Sequence, residues 1–168
     1  MNMKIFLDMD GVIANFFGGL EKKYGVAHWK ELDDIEKRLD LLINTDFFYT
    51  LEKFETTDPL VDFVCYMTKG DWGICSSPLR GDYNNSSYWK RRWLEDNGIM
   101  PRIENLILTT DKKRYAINRI DGEPNMLIDD KPSNITEWEK AGGVGILWQA
   151  NQDSYDELIY QIKERFRR

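Results

Sequence analysis

The sequence predicts an α/β protein: a parallel β-sheet covered by helices on both faces, with a small helical insert after the first strand. Three observations carry that prediction. From residue 58 onward, short apolar runs alternate with stretches of helical periodicity, as consecutive parallel strands with crossover helices require. Between the first apolar run and residue 58 the chain reads as helix after helix, with no strand between. Four of the apolar runs then end in carboxylates, hydroxyls or a lysine, and a parallel sheet would carry all four endings to one edge. The expected division is an α/β core over residues 1–14 and 58–168 and a helical insert over 15–57.

The elements follow in order. "KIFL" (4–7) is a short buried strand. Phe16, Leu20 and Tyr24 recur at helical spacing, and Gly25 ends that helix. Leu32, Ile35, Leu39, Leu42 and Ile43 predict a second amphipathic helix. In residues 58–70, Asp58 before Pro59 starts a helix with the stripe Leu60, Phe63, Val64 and Met67, and Gly70 closes it. "WGICSSP" (72–78) is a strand running into a polar turn, and residues 86–98 form a helix stopped by Gly98. There Trp89 and Trp93 are one turn apart and are expected to pack on the sheet, beside the basic run Lys90–Arg91–Arg92. "ENLILTTDK" (104–112) is a strand followed by a helical stretch to about Ile120, and "NMLIDDKP" (125–132) is another strand. Asn134 with Glu137 suggests a capping box for a helix ending at Gly142. "VGILW" (144–148) is a last strand. Ser154 with Glu157 caps a final helix whose stripe is Tyr155, Leu158, Ile159, Ile162 and Phe166.

Composition narrows the class. A chain of 168 residues with 42% hydrophobic and 13% aromatic residues can bury a core. A net charge of -6 disfavours a stable nucleic-acid partner, and an anionic substrate would need a metal or local lysines. Cys65 and Cys75 sit in apolar runs and read as buried thiols of a reducing compartment. The amino terminus carries no signal peptide and no run is long enough to span a membrane, so a soluble cytoplasmic protein is expected. The single histidine, His28, reads as a loop residue and gives His-based sites little to build on.

The chemistry lies at the strand ends. The first strand ends in Asp8 and Asp10, the second in Ser76 and Ser77, the third in Thr110, Asp111 and Lys112, the fourth in Asp129 and Asp130. Crowded carboxylates raise each other's pKa unless a cation lies among them. Oxygen-only ligands suit Mg²⁺, and hydroxyls with a lysine suit a phosphate. The set points to phosphoryl transfer, with one carboxylate as nucleophile and a second, two residues on, as acid for the leaving oxygen. An EF-hand is excluded because Gly19 stands where its loop needs glutamate.

"DMDGVIA", "ICSSP", "LTTDK" and "LIDDKP", in that order, resemble motifs I to IV of the haloacid dehalogenase superfamily of phosphatases. Within it the motifs are similar to those of the 5′(3′)-deoxyribonucleotidases. The resemblance implies a three-layer, Rossmann-like parallel sheet with a small helical cap, and a Mg²⁺-dependent hydrolase of nucleoside monophosphates. It implies Asp8 as the nucleophile that becomes an aspartyl phosphate, and Asp10 as general acid/base with its carbonyl in the Mg²⁺ shell. Asp130 would ligate Mg²⁺ with Asp129 in support, Ser76, Ser77 and Lys112 would hold the phosphate, Lys90 would add a second lysine there, and Phe16 would line the nucleotide pocket. Thr110 departs from the arginine of the family's "LTRDK", and the insert's Trp29, Phe47 and Phe48 have no assigned counterpart.

Each feature also has a plainer reading. "DMDG" alone is a solvated turn, Asp129 and Asp130 a helix cap, Ser76–Ser77–Pro78 an ordinary turn, and Phe16 a core residue of the insert. The competing functions are a phosphatase of another ester (a nucleic-acid 3′ end, a phosphoprotein or a small metabolite) and a non-catalytic binding domain. Retention of Asp8, Asp10, Lys112, Asp129 and Asp130 weighs against the last. The oligomeric state stays open, with a homodimer as one option.

Overall fold

The computed structural model describes residues 3–166. Strands β1 (Ile5–Leu7), β2 (Gly73–Ser76), β3 (Leu106–Leu108), β4 (Met126–Asp129) and β5 (Val144–Leu147) form one sheet, ordered β3-β2-β1-β4-β5 with every pairing parallel. The helices are α1 (Phe16–Tyr24), α2 (Ile35–Asp40), α3 (Thr57–Met67), α4 (Tyr83–Asp96), α5 (Pro132–Lys140) and α6 (Tyr155–Arg165).

The strand side chains alternate between two cores. Ile5, Leu7, Ile74, Met126 and Ile128 join one core with Leu20 of α1, Leu60 and Val64 of α3, Trp93 and Leu94 of α4, and Leu158 and Ile162 of α6. Phe6, Cys75, Ile107 and Leu127 face the other way, onto Ile135 and Trp138 of α5. Both faces of the sheet are therefore covered, and the central strand β1 is apolar throughout. The chain leaves β1 toward β2 and β3, then crosses to β4 on the other side of β1. The order reverses at β1 and β4, and in open α/β sheets the crevice beyond such a point is where ligands bind.

Between β1 and α3 lie α1, a 3₁₀ turn at Trp29–Glu31, α2 and a 3₁₀ turn at Phe47–Thr50. The two ends of this segment meet. Asn15 N–H donates to the Glu52 carbonyl at 2.8 Å, Ala14 bridges Lys53, and the buried Thr57 hydroxyl donates to the Ile13 carbonyl at 2.7 Å.

Several expectations are corrected. The second amphipathic helix is confined to α2, because Asp34 adopts φ 45° and caps it at Lys37, and Asn44 at φ 61° ends the following turn. Leu42 is buried but Leu41 is 61% exposed. The helix expected before Ile120 is only a 3₁₀ turn, Lys112–Tyr115; beyond it Ile117 pairs with Pro124 and Asn118 N–H donates to the Glu123 carbonyl. α4 begins earlier than expected, at Tyr83. Asn134 does not cap α5: Pro132 opens that helix and Asn134 lies within it. Ser154 does cap α6, its hydroxyl accepting from Glu157 N–H at 3.2 Å. Trp93 packs into the core with the sheet, as expected, and also reaches the insert, its Nε1–H donating to the Leu51 carbonyl at 2.7 Å; the Trp89 ring lies 5.3 Å from Tyr49. Cys75 is buried, but Cys65 is only half-buried. No helix among the described residues is long and apolar enough to cross a membrane.

The Trp93 bond joins α4 to the insert inside the core, where a lost partner leaves a buried carbonyl unpaired. Trp93→Phe is expected to lower the unfolding free energy by about 1–3 kcal/mol, read from urea denaturation of the purified protein.

Candidate active site

The endings of β1 and β4 fall side by side. Their last register pair is Leu7 with Ile128, so Asp8 and Asp129 come next on facing positions. Like charges so placed repel. The repulsion is met by Lys112, whose Nζ donates to Asp8 Oδ1 at 2.9 Å and to Asp129 Oδ2 at 2.6 Å. All three side chains are buried. The ladder past β2 holds as well, Thr109 N–H donating to the Ser76 carbonyl, and the 3₁₀ turn at Lys112–Tyr115 then turns Lys112 inward.

Asp130 completes the acidic group. Carboxylate oxygens of Asp8, Asp129 and Asp130 all lie within 4.8 Å of one another. Asp129 is the most constrained of the three. Besides Lys112, it accepts from the Lys131 backbone N–H at 2.9 Å and from Asn134 Nδ2 at 3.0 Å. The plainer reading of Asp129, as a cap for the next helix, is not met: the N-cap of α5 is Lys131, and Asp129 bonds no backbone N–H of its first turn. Gly11 explains the close approach of Asp130: it sits at φ 82°, and a Cβ there would collide with the Asp130 carboxylate. The turn holding Gly11 is tight, since the Met9 carbonyl accepts from the N–H groups of Val12, Ile13 and Ala14.

Charge follows from this packing. Burial, and then the neighbouring Asp129, push Asp8 up to about 7 despite Lys112. Burial, and then Asp8 and Asp129, push Asp130 up to about 8. Burial opposes the charge of Lys112, but Asp8 and Asp129 outweigh it and raise its pKa above the ordinary lysine value. Burial pushes the nearby Cys75 thiol up to about 12, so it stays protonated and is no nucleophile.

Asp10 belongs to a second group. Its Oδ2 accepts from Lys90 Nζ at 2.8 Å, and its Oδ1 is buried without a partner among the described residues. Lys90 Nζ also donates to Ser76 Oγ at 2.8 Å and to the Ser77 carbonyl at 2.9 Å. The Asp10 side chain therefore lies outside the acidic trio. Phe16 is half-buried, packed edge-on against Phe17 and Phe47 and stacked on Phe48 at 6.1 Å. Trp29 stacks instead on Phe17, and His28 is exposed.

The structure thus brings Asp8, Asp129, Asp130 and Lys112 into one cluster and Asp10, Lys90, Ser76 and Ser77 into an adjoining one. Thr110 is exposed and Asp111 contributes no carboxylate to the trio. Three residues were not foreseen in site roles: Gly11, Asn134 and Phe48, whose ring faces Lys90 Nζ with its centroid 4.8 Å away. The glycine after two aspartates was the available sign for Gly11. Asn134 and Phe48 act through tertiary contacts that no local pattern encodes.

No family model matches the chain. Over 152 residues it is 26% identical to the mitochondrial 5′(3′)-deoxyribonucleotidase of Mus musculus, a match covering 77% of this chain and 65% of that protein. Among solved structures it is similar to a haloacid dehalogenase-family hydrolase of Bacillus subtilis bound to magnesium, at TM-score 0.54 and 13% identity over 87% of this chain and 86% of that one. It is likewise similar to a predicted phosphatase of Clostridium acetobutylicum, at TM-score 0.53 and 13% identity over 98% of this chain and 99% of that one. At such identities the structural likenesses establish the fold. By its sheet order and these likenesses, the chain has a haloacid dehalogenase-like α/β fold.

Proposed function

We propose that the chain is a Mg²⁺-dependent phosphomonoesterase whose substrates are nucleoside monophosphates, deoxynucleotides among them. The observation that carries the reading is the trio Asp8, Asp129 and Asp130, with Lys112 between Asp8 and Asp129 and Asp10 held two residues beyond Asp8. The similarity to the mouse mitochondrial 5′(3′)-deoxyribonucleotidase supports the nucleotide substrate, and the chain spans 65% of that relative's length.

The donor set fits a hard divalent cation. It is all oxygen, it is crowded, and the pKa values of two of its carboxylates are raised toward neutral pH by burial and by neighbouring carboxylates. Asp8, Asp130 and the Asp10 carbonyl would hold Mg²⁺, with Asp129 behind them. When bound, Mg²⁺ would neutralise these carboxylates and the charge on the phosphoryl oxygens.

In the proposed reaction an Asp8 carboxylate oxygen attacks phosphorus, and the bond from phosphorus to the ester oxygen breaks. Asp10 gives its proton to that leaving oxygen, releasing the alcohol. Water then attacks the aspartyl phosphate and passes a proton to Asp10, freeing inorganic phosphate and regenerating Asp8. Lys112 and the Ser76 and Ser77 hydroxyls bind the transferred group. Residues 15–57 act as a small cap over this edge, with Phe16 toward the nucleoside.

Phosphate release from a panel of deoxy- and ribonucleoside monophosphates tests the reading. Turnover with Mg²⁺ is expected to fall to the no-enzyme rate in EDTA and in Asp8→Asn. Turnover of sugar phosphates alone would move the substrate elsewhere, and no turnover by the folded protein would overturn the reading.

Stability gives a second test. An acid whose pKa is raised in the folded chain keeps its proton there while the unfolded chain has lost it. Between the unfolded value of 3.8 and the raised values of about 7 and 8, stability therefore falls as pH rises. In EDTA the melting temperature is expected to decline from pH 5 to pH 8, and Mg²⁺ to raise it more at pH 8 than at pH 5.

A further inference from the structure

Lys90 is a lysine of α4 that is 0% exposed. Burying an ammonium is costly unless each of its protons finds an acceptor. Here each does: Asp10 Oδ2 at 2.8 Å, Ser76 Oγ at 2.8 Å and the Ser77 carbonyl at 2.9 Å. The ring of Phe48, itself 4% exposed, lies against the same ammonium, its centroid 4.8 Å from Nζ. Lys112 differs. It has two carboxylate partners, Asp8 and Asp129, and so keeps one proton for a further acceptor. A phosphate oxygen could take a proton from Lys90 only by displacing one of its three acceptors.

Asp10 shows the other side of the arrangement. One of its oxygens is clamped by Lys90, while Oδ1 is buried with no partner among the described residues. A carboxyl held by one oxygen has a fixed direction, and its other oxygen is left free of Lys90.

We infer that Lys90 is a positioning residue that aims the free oxygen of Asp10 at the leaving group, and that Phe48 of the insert holds Lys90 in that role. The inference rests on the phosphomonoesterase reading above and assigns Lys90 a task other than binding phosphate. It also links the insert to catalysis through packing: Phe16 stacks on Phe48, Phe48 covers Lys90, and Lys90 holds Asp10.

The experiment turns on the leaving group. An alkoxide, such as a nucleoside oxygen, needs a proton as it departs; 4-nitrophenolate does not. The parameter kcat/KM reports the steps up to the first irreversible one, here transfer of the phosphoryl group to Asp8. Lys90→Met is therefore expected to lower kcat/KM for the best alkyl monoester about 10²-fold. It should lower kcat/KM for 4-nitrophenyl phosphate, and weaken competitive inhibition by inorganic phosphate, by far less than that. Phe48→Leu should show the same asymmetry with a smaller loss. It also decides the matter if circular dichroism shows Lys90→Met to be unfolded.

Equal losses for both esters, with weaker inhibition by phosphate, would make Lys90 a phosphate ligand and overturn the inference. Equal losses with unchanged phosphate inhibition would make it merely structural and do the same. If the wild-type chain turns over neither ester, the phosphomonoesterase reading fails and the inference falls with it. An active wild type with symmetric losses removes the inference alone.

Discussion

Everything at the carboxyl edge of the sheet depends on one buried ammonium between two buried carboxylates. The register of β1 and β4 brings Asp8 and Asp129 opposite each other just past the last paired residues. Without a cation, two buried carboxylates in that position would repel and each would suffer its own desolvation cost. Lys112 answers both by donating to each of them, and it arrives from β3 across the sheet. The parallel order of strands is therefore a requirement of the site as well as of the core. An antiparallel β4 would send Asp129 to the opposite edge.

A second lysine does comparable work one step away. Lys90 draws the end of β2 and the Asp10 turn onto α4 through three bonds. α4 is in turn tied to the insert by Trp93 and the Leu51 carbonyl and by Trp89 against Tyr49. The insert closes on itself at the same turn, where Asn15 meets Glu52 and Thr57 meets Ile13. The acidic turn, the hydroxyl turn and the insert thus share neighbours, and a shift in one is felt by the others.

The cluster also shows a local conflict of the kind found at functional sites. Asp8 and Asp130 are raised to about 7 and about 8, which means the fold holds them against their preference for charge and water. Gly11 makes that crowding possible by leaving room for Asp130. A chain selected only for stability would put apolar groups there. Carboxylates kept close at a cost to the fold are those a bound cation can relieve.

Much of this was legible in the sequence because it is written in local signals. Continuous apolar runs such as Ile5-Phe6-Leu7 and Met126-Leu127-Ile128 mark strands buried on both faces, and glycines and capping residues end the helices at Gly25 and begin them at Ser154. The order of four polar strand endings carried both the fold and the gathering of Asp8, Asp129, Asp130 and Lys112 into one cluster. What failed was also local: Leu32 to Ile43 had helical spacing, yet the left-handed turns at Asp34 and Asn44 cut it short. The tertiary structure alone decided that Asn134 serves Asp129 instead of its own helix, that Phe48 lies on Lys90, and that Lys90 has each of its three protons engaged. The reason is physical. Periodicity and capping are set by neighbours along the chain, whereas a buried charge is satisfied by groups that only folding brings within reach.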